Sequence, residues 1–197
     1  MPNIKRGMMG AAGAGEVEAG LFTWGHNAYG QIGDGSTTTR SSPVQIGELT
    51  TWANITYGNS NAFAVKTDGT LWVWGWGEDG VLGDGTSVSK SSPVQVGSLT
   101  NWVSVNGKRQ AGGVKTDGTL WMWGHNGHGK VGDGTTISRS SPVQIGSLTT
   151  WASVTSARET THAITTGGAL FSWGYGGYGA LGTGSNTAVH SPVQVGA

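Results

Sequence analysis

Trp123-Gly124-His125-Asn126-Gly127-His128-Gly129-Lys130-Val131-Gly132-Asp133-Gly134 is one of four copies of a pattern in this chain; the others open at Trp24, Trp74 and Trp173. The shared skeleton is W-G-x4-G-x-[ILV]-G-[DT]-G, and successive opening tryptophans stand 50, 49 and 50 residues apart. A second marker, Ser-Pro-Val-Gln-[IV]-Gly, keeps the same step with its proline at Pro43, Pro93, Pro142 and Pro192. A fixed period of this length is a repeat architecture, in which each unit is one supersecondary piece that buries its apolar faces only against its neighbours.

Two kinds of unit alternate along the period. The first spans residues 21–47 and recurs from Leu71, Leu120 and Leu170. In its opening strand Leu71 and Val73 point one way and Trp72 and Trp74 the other, the two-residue period of a strand. Both faces are apolar, so the strand must be covered on both sides, which is expected of a strand sandwiched between neighbouring sheets; Trp24, Trp74, Trp123 and Trp173 are each expected to be mostly buried between strands or blades. Glycines after Trp74 permit positive φ, and Asp84-Gly85 signals a turn. The proline of the second marker cannot donate to a ladder and so marks a strand start or an edge strand.

The second unit spans residues 51–70, with counterparts at 101–119 and 150–169. Each opens with a tryptophan, Trp52, Trp102 or Trp151, followed by small or β-branched residues such as Val103 and Val105. A short polar turn, a second strand over 62–66 and the turn Thr67-Asp68-Gly69-Thr70 complete a hairpin. Two hairpin-like units per period supply about four strands, the content of one propeller blade. The fold class predicted is therefore all-β: a β-propeller-like array over residues 21–197 of about three and a half four-stranded blades, from four first units and three second units.

Composition agrees. Glycine is 37 of 197 residues and tryptophan 10, while the helix formers are scarce, so almost no α-helix is expected. With 11 basic and 11 acidic residues the formal charge is zero, which predicts no strong nonspecific pull toward nucleic acid or a membrane surface. Cysteine is absent, which rules out disulfides and thiolate metal sites. No apolar run approaches the length of a membrane span and residues 1–20 lack the apolar core of a secretory signal. That Gly/Ala-rich stretch carries no tryptophan and is read as an arm outside the repeat, either packed on its own array or, as we expect, held by a partner.

The sequence from Leu21 to Gly33, L-x-x-W-G-x-N-x-x-G-Q-[IL]-G, closely resembles the signature of the regulator of chromosome condensation repeat, and the Ser-Pro-Val-Gln and Thr-Asp-Gly elements fall where that family has theirs. The resemblance covers residues 21–197 and implies a β-propeller, seven-bladed in the best-known members. The chain departs from the family where a histidine usually stands in the tight turn of the second unit: those positions hold Asn61, Gln110 and Thr160. The chain also has half the length that seven blades need. An open arc leaves bare strand edges at both ends, so closure is expected either from the arm, which lacks the tryptophan and β-branched residues of a second unit, or from association with other chains, the expectation adopted.

Comparison of the copies separates framework from free positions. The four-residue loop after Trp-Gly reads His26-Asn27-Ala28-Tyr29, Trp76-Gly77-Glu78-Asp79, His125-Asn126-Gly127-His128 and Tyr175-Gly176-Gly177-Tyr178. Rings on rigid loops suit stacking on sugars or anchoring in a protein interface, or they pack between blades and close the rim. The candidate contact residues are His26, Tyr29, Trp76, Asp79, His125, His128, Tyr175 and Tyr178. The turn of the second unit varies too, adding Lys108, Arg109, Arg158 and Glu159 as candidates whose charge differs between repeats; ordinary solvated turns also account for them.

An enzyme is not expected. There is no nucleophile elbow. His125 and His128 lie on a glycine loop rather than a helix face, Gly-Asp-Gly lacks the alternating carboxylates of a calcium loop, and Gly129-Lys130 lacks phosphate-loop spacing. No metal or cofactor is predicted. The leading functional expectation is a structural and binding component of a tailed-bacteriophage virion (tail, fibre or capsid decoration), because the opening residues 4–13 resemble the short N-terminal arms of phage structural proteins. In that reading Ile4, Lys5, Arg6, Met8 and Met9 anchor the chain to other virion proteins, the protein is a homo-oligomer, and its propeller surface meets protein or a cell-surface glycan. Nucleic-acid binding and membrane insertion are not expected, and the location is the virion, with the cytoplasm as alternative. The alternative functions are a guanine-nucleotide exchange or chromatin-type module, which is what the best-known member of the resembling family does, and a stand-alone carbohydrate-binding module.

Overall fold

The structure, a computed structural model, describes residues 20–47 and 51–196; the expected arm and its anchor residues Ile4, Lys5, Arg6, Met8 and Met9 lie outside them. The described residues form fourteen strands and three single-turn 3-10 segments, with no α-helix among them. None of their helices is long and apolar enough to cross a membrane. β1 (Leu21–Gly25) and β2 (Arg40–Ile46) pair as a half-blade. Three four-stranded antiparallel meanders follow: β3 (Trp52–Tyr57), β4 (Asn61–Lys66), β5 (Leu71–Gly75) and β6 (Lys90–Gln95); β7 (Trp102–Gly107) to β10 (Arg139–Gln144); and β11 (Trp151–Ser156) to β14 (Val189–Gln194). This is an all-β arc of about three and a half blades with no closed barrel.

The hairpin turn inside the second unit forms as its residues dictate: Gly69 adopts φ 78°, and the Lys66 N–H donates to the Thr70 carbonyl at 3.0 Å. The Ser-Pro-Val-Gln strand is the outermost of each blade, an edge where a missing N–H is tolerated. Its pairing is irregular, since the β5–β6 register shifts between Val73 and Gly75.

No single core exists. Apolar side chains collect in three layers, one in each gap between blades. Between the second and third blades lie Phe63, Val65, Leu71 and Val73 from one side and Trp102, Val105 and Trp123 from the other. Between the third and fourth lie Leu120, Met122 and Val131 against Trp151, Val154 and Trp173. Ala62, Ala64 and Trp74 face the half-blade and Leu21. Alternate residues of one strand thus serve two gaps, as the doubly apolar pattern of β5 requires.

Each gap is fastened by a tryptophan of the W-G unit. Trp74, Trp123 and Trp173 are fully buried, and their indole N–H groups donate to the carbonyls of Gln31, Val81 and Lys130 in the preceding repeat at 3.0, 2.9 and 3.0 Å. The ring lies so close over Gly33, Gly83 and Gly132 that a Cβ there would stand within 2.7 Å of it. Trp24 corrects the expectation that all four opening tryptophans are interior: it is 62% exposed, because no repeat precedes it among the described residues. At the outer end of two blades a lysine packs over two further indoles, Lys66 at 4.1 Å from Trp72 and 4.9 Å from Trp52, and Lys115 at 3.6 Å from Trp121 and 4.7 Å from Trp102.

The two classes of tryptophan should separate in melting experiments. Trp123→Ala removes a fully buried indole and its hydrogen bond and should cost about 3–5 kcal/mol, whereas Trp24→Ala should cost less than about 1 kcal/mol in the monomer. Equal losses at the two sites in denaturant titrations would contradict the gap-by-gap core.

Candidate functional site

The variable loops meet because the framework stitches them together. In each full blade the residue after Trp-Gly donates its N–H to a carbonyl in the turn between the first two strands: Trp76 to Ser60 at 2.8 Å, His125 to Arg109 at 3.0 Å and Tyr175 to Glu159 at 2.9 Å. Both loops of a blade therefore stand side by side on one rim. At the fourth position of the W-G loop the chain is held with φ positive at Asp79, His128 and Tyr178 (58°, 65° and 58°), the three non-glycine residues so placed among those described. Such backbone costs of order 1–2 kcal/mol for a residue with a Cβ. It turns these side chains outward: Tyr178 is 99% exposed.

Below the loop, an asparagine or a glycine fixes its shape. Asn27 donates from Nδ2 to the Ser36 and Thr38 carbonyls, both at 3.0 Å, and its Oδ1 accepts the Ile32 N–H at 2.9 Å; Asn126 repeats the arrangement. Asp34 then ties the following turn to Arg40 at 2.7 Å. Burial works to raise the Asp34 carboxyl, but hydrogen bonds from Ser36 and Arg40 outweigh it and hold the group at about 2.

Five of the sequence candidates line a single rim cavity of about 550 Å3: Tyr29, Trp76, Lys108, Arg109 and Arg158, joined by Asn59, Ser60 and Glu78. Three consecutive blades and the half-blade contribute, so the cavity exists only in the assembled arc. Two rings and three cations face one carboxylate there, a set suited to an acidic surface that also offers an apolar or aromatic group. Asp79 sits 3.8 Å from Arg109 with both half-exposed, which orients the guanidinium and adds little stability.

The remaining candidates divide. His26 is exposed, with its Nδ1 2.9 Å from the Gln31 amide. His125 and Tyr175 fold back over the loop glycines Gly127 and Gly177, where a Cβ would strike their rings, so they help to close the rim. The rings of His128 and Tyr175 stand 5.1 Å apart and bridge two blades. Burial, then the charge of Lys130, holds His125 below its ordinary 6.5, leaving it neutral at pH 7. Two of the three positions where the resembling family carries histidine are buried fasteners: Asn61 donates to the Lys108 carbonyl at 3.0 Å and Gln110 to that of Ala157 at 2.8 Å, each in the next blade, whereas the Thr160 hydroxyl pairs with His162 of its own strand.

Lys130 escaped the sequence reading. Its side chain is fully buried, with Nζ donating to the Arg158 carbonyl at 2.9 Å and to Glu159 Oε2 at 3.0 Å. This pair shapes the turn that carries Arg158. Burial pushes the Lys130 ammonium below its ordinary value; for Glu159 burial works upward, but the hydrogen bond and charge of Lys130 outweigh it and hold the carboxyl low. Its only sequence signal is a charge at a position that reads Gln31, Val81 and Ala180 in the other repeats. No group of three or more histidine, cysteine or acidic side chains that could hold a metal occurs among the described residues.

The profile of the regulator of chromosome condensation (RCC1) repeat matches residues 18–65, 68–107, 117–164 and 167–197. No curated protein sequence matches the chain. Among solved structures, human WBSCR16 is similar with a TM-score of 0.77 at 22% identity over 91% of this chain and 48% of its own. Prp20p from Saccharomyces cerevisiae, described with its binding properties to Gsp1p and histones, gives 0.77 at 20% identity over 90% of this chain and 46% of its own. Yeast RCC1 (Prp20), solved with Kap60, gives 0.76 at 21% identity over 91% and 45%. The chain spans about half the length of these relatives, and at such identity the likeness is one of fold. The expected virion location is corrected by these matches, which are to human and yeast proteins; no match supports virion partners, a bacteriophage origin or a glycan ligand.

The Lys130–Glu159 pair makes stability fall in acid. Because the folded Glu159 carboxyl lies below its ordinary 4.5, its contribution is complete above that value and is lost as pH drops through the lower folded one. Glu159→Gln should lower the melting temperature at pH 7, where it leaves Lys130 buried without a counter-charge, and flatten the acid limb between pH 5 and pH 3. Parallel melting curves for the two proteins across that range would contradict this.

Proposed function

The chain belongs to the regulator of chromosome condensation (RCC1) repeat family, and on that footing we propose that it is a non-enzymatic docking module that holds a protein partner against one rim of its propeller arc. The observation that carries the reading is the convergence of Tyr29, Trp76, Lys108, Arg109 and Arg158 on one cavity from separate repeats. Aromatic and arginine side chains are the residues that dominate binding energy at protein interfaces, especially when a rigid scaffold holds them in place. The chain as a whole has zero formal charge, so the cations at this rim are a local field and favour an acidic patch on the partner.

On this reading the protein is an exchange-factor or chromatin-type module rather than a phage-structural component. Family membership supports it, and so does the binding of Gsp1p and histones described for Prp20p, the whole of which is about twice as long.

The test is titration of the full chain with purified core histones and, separately, with a small guanine-nucleotide-binding protein, with a glycan array as a third arm. Saturable binding to one of the two proteins, weakened by salt, is expected. A Trp76→Ala, Arg109→Ala, Arg158→Ala triple variant should weaken it by roughly tenfold or more with its melting temperature kept. Binding that the triple variant leaves unchanged, or binding to glycan alone, would overturn the proposal.

A further inference from the structure

The joint between blades has a tryptophan on one side and a seat on the other. The seat consists of four backbone positions in the preceding repeat. In the joint closed by Trp74, Gly30 packs on Ser91 of the next outer strand, Gln31 offers the carbonyl that accepts the indole N–H, Gly33 lies under the ring, and Gly35 donates to the Ser91 carbonyl at 2.8 Å. The same four positions act at Gly80, Val81, Gly83 and Gly85, and at Gly129, Lys130, Gly132 and Gly134.

Each half of the joint occurs once more, open, among the described residues. Trp24 is the open tryptophan, 62% exposed, with Phe22 beside it 45% exposed. The open seat is Gly179, Ala180, Gly182 and Gly184; Gly179 and Gly182 are exposed, although their counterparts Gly30, Gly80 and Gly129, and Gly33, Gly83 and Gly132, are buried. Gly182 keeps the left-handed backbone of the seat, φ 66°, but a Cβ there would meet only Val195 Cγ1, at 3.4 Å. The Leu181 carbonyl accepts the Ser172 hydroxyl at 2.5 Å, as the Ile32 carbonyl accepts the Thr23 hydroxyl at 2.8 Å in the first repeat. The seat is therefore fully shaped before anything occupies it.

We propose that these two faces are the two sides of one contact between copies of this chain: Trp24 of one copy seats over Gly182 of a second and donates its indole N–H to the Ala180 carbonyl there, while the Gly184 N–H of that second copy donates to the Ser41 carbonyl of the first. The occupant follows from continuity with an interface the chain already builds three times, in the same chain order of seat before tryptophan. The contact is head-to-tail, so it closes into a ring if the rotation per joint allows and otherwise extends. The proposal is independent of the rim cavity, and none of its residues lines that cavity.

The experiment is light scattering or sedimentation of the full chain over a range of concentrations. A concentration-dependent mass of twice 20.2 kDa or a higher multiple is expected. Trp24→Ala should return it to the single-chain mass. Gly182→Asn should do the same with its melting temperature kept, since asparagine tolerates a left-handed backbone and its Cβ would fall where the indole must lie. Mixing the two variants should restore association, because one supplies an intact seat and the other an intact tryptophan. A wild-type chain that stays at 20.2 kDa throughout, with Trp24 covered by another part of its own chain or by nothing, would overturn the proposal. So would association that survives both variants, or variants that fail to complement.

Discussion

The structure depends on a backbone carbonyl that accepts the buried indole N–H of each interior W-G tryptophan; the indoles of Trp102 and Trp151, buried without such an acceptor, fasten no gap in this way. A tryptophan ring removes much apolar surface from water, but its nitrogen brings a donor into the interior, and an unpaired donor there costs about as much as a hydrogen bond is worth. The chain meets both demands across the gap between blades: a backbone carbonyl accepts the N–H and a glycine admits the ring. Neither residue of the seat is chosen for its own side chain. This is why Gln31, Val81 and Lys130 can share one role, and why the side chain at that position is free to take on another, as Lys130 does beneath the rim.

Much of the fold was legible in the sequence. The double apolar face of Leu71 to Trp74 required cover on both sides, and the gaps on either side of β5 supply it. The edge position of Pro93 and the hairpin turn at Gly69 followed from a missing donor and a required positive φ. Trp24 was misjudged because its sequence matches its three counterparts, while its burial depends on a neighbouring repeat that no local pattern reports. The site was legible in kind and not in membership. Variation between copies pointed to Trp76, Lys108, Arg109 and Arg158, but the fold over Gly127 and Gly177 that turns His125 and Tyr175 inward is a matter of loop conformation. Asn59 and Ser60 lie in the variable turn of the second unit, but their chemistry is ordinary for a turn and does not single them out; the hydrogen bond from Trp76 to Ser60 sets that turn beside the W-G loop at the cavity.

The rim joins rigidity to variability. Loops ordinarily move more than the strands they connect, yet here Asn27 and Asn126 each satisfy three backbone groups within one loop. A contact surface so fixed loses little conformational entropy on binding. The outward positions at Asp79, His128 and Tyr178 carry backbone strain that the surrounding hydrogen bonds maintain.

Because apolar burial is divided among three gaps rather than pooled, the array has no centre whose loss unfolds the rest at once. Its stability is close to a sum over neighbouring pairs of blades, and duplication or deletion of one whole period leaves every surviving gap chemically intact. Length is therefore an easy variable for such a chain to change over generations. Pulled from its ends, it would come apart one gap at a time, like a stack of cards rather than a knot.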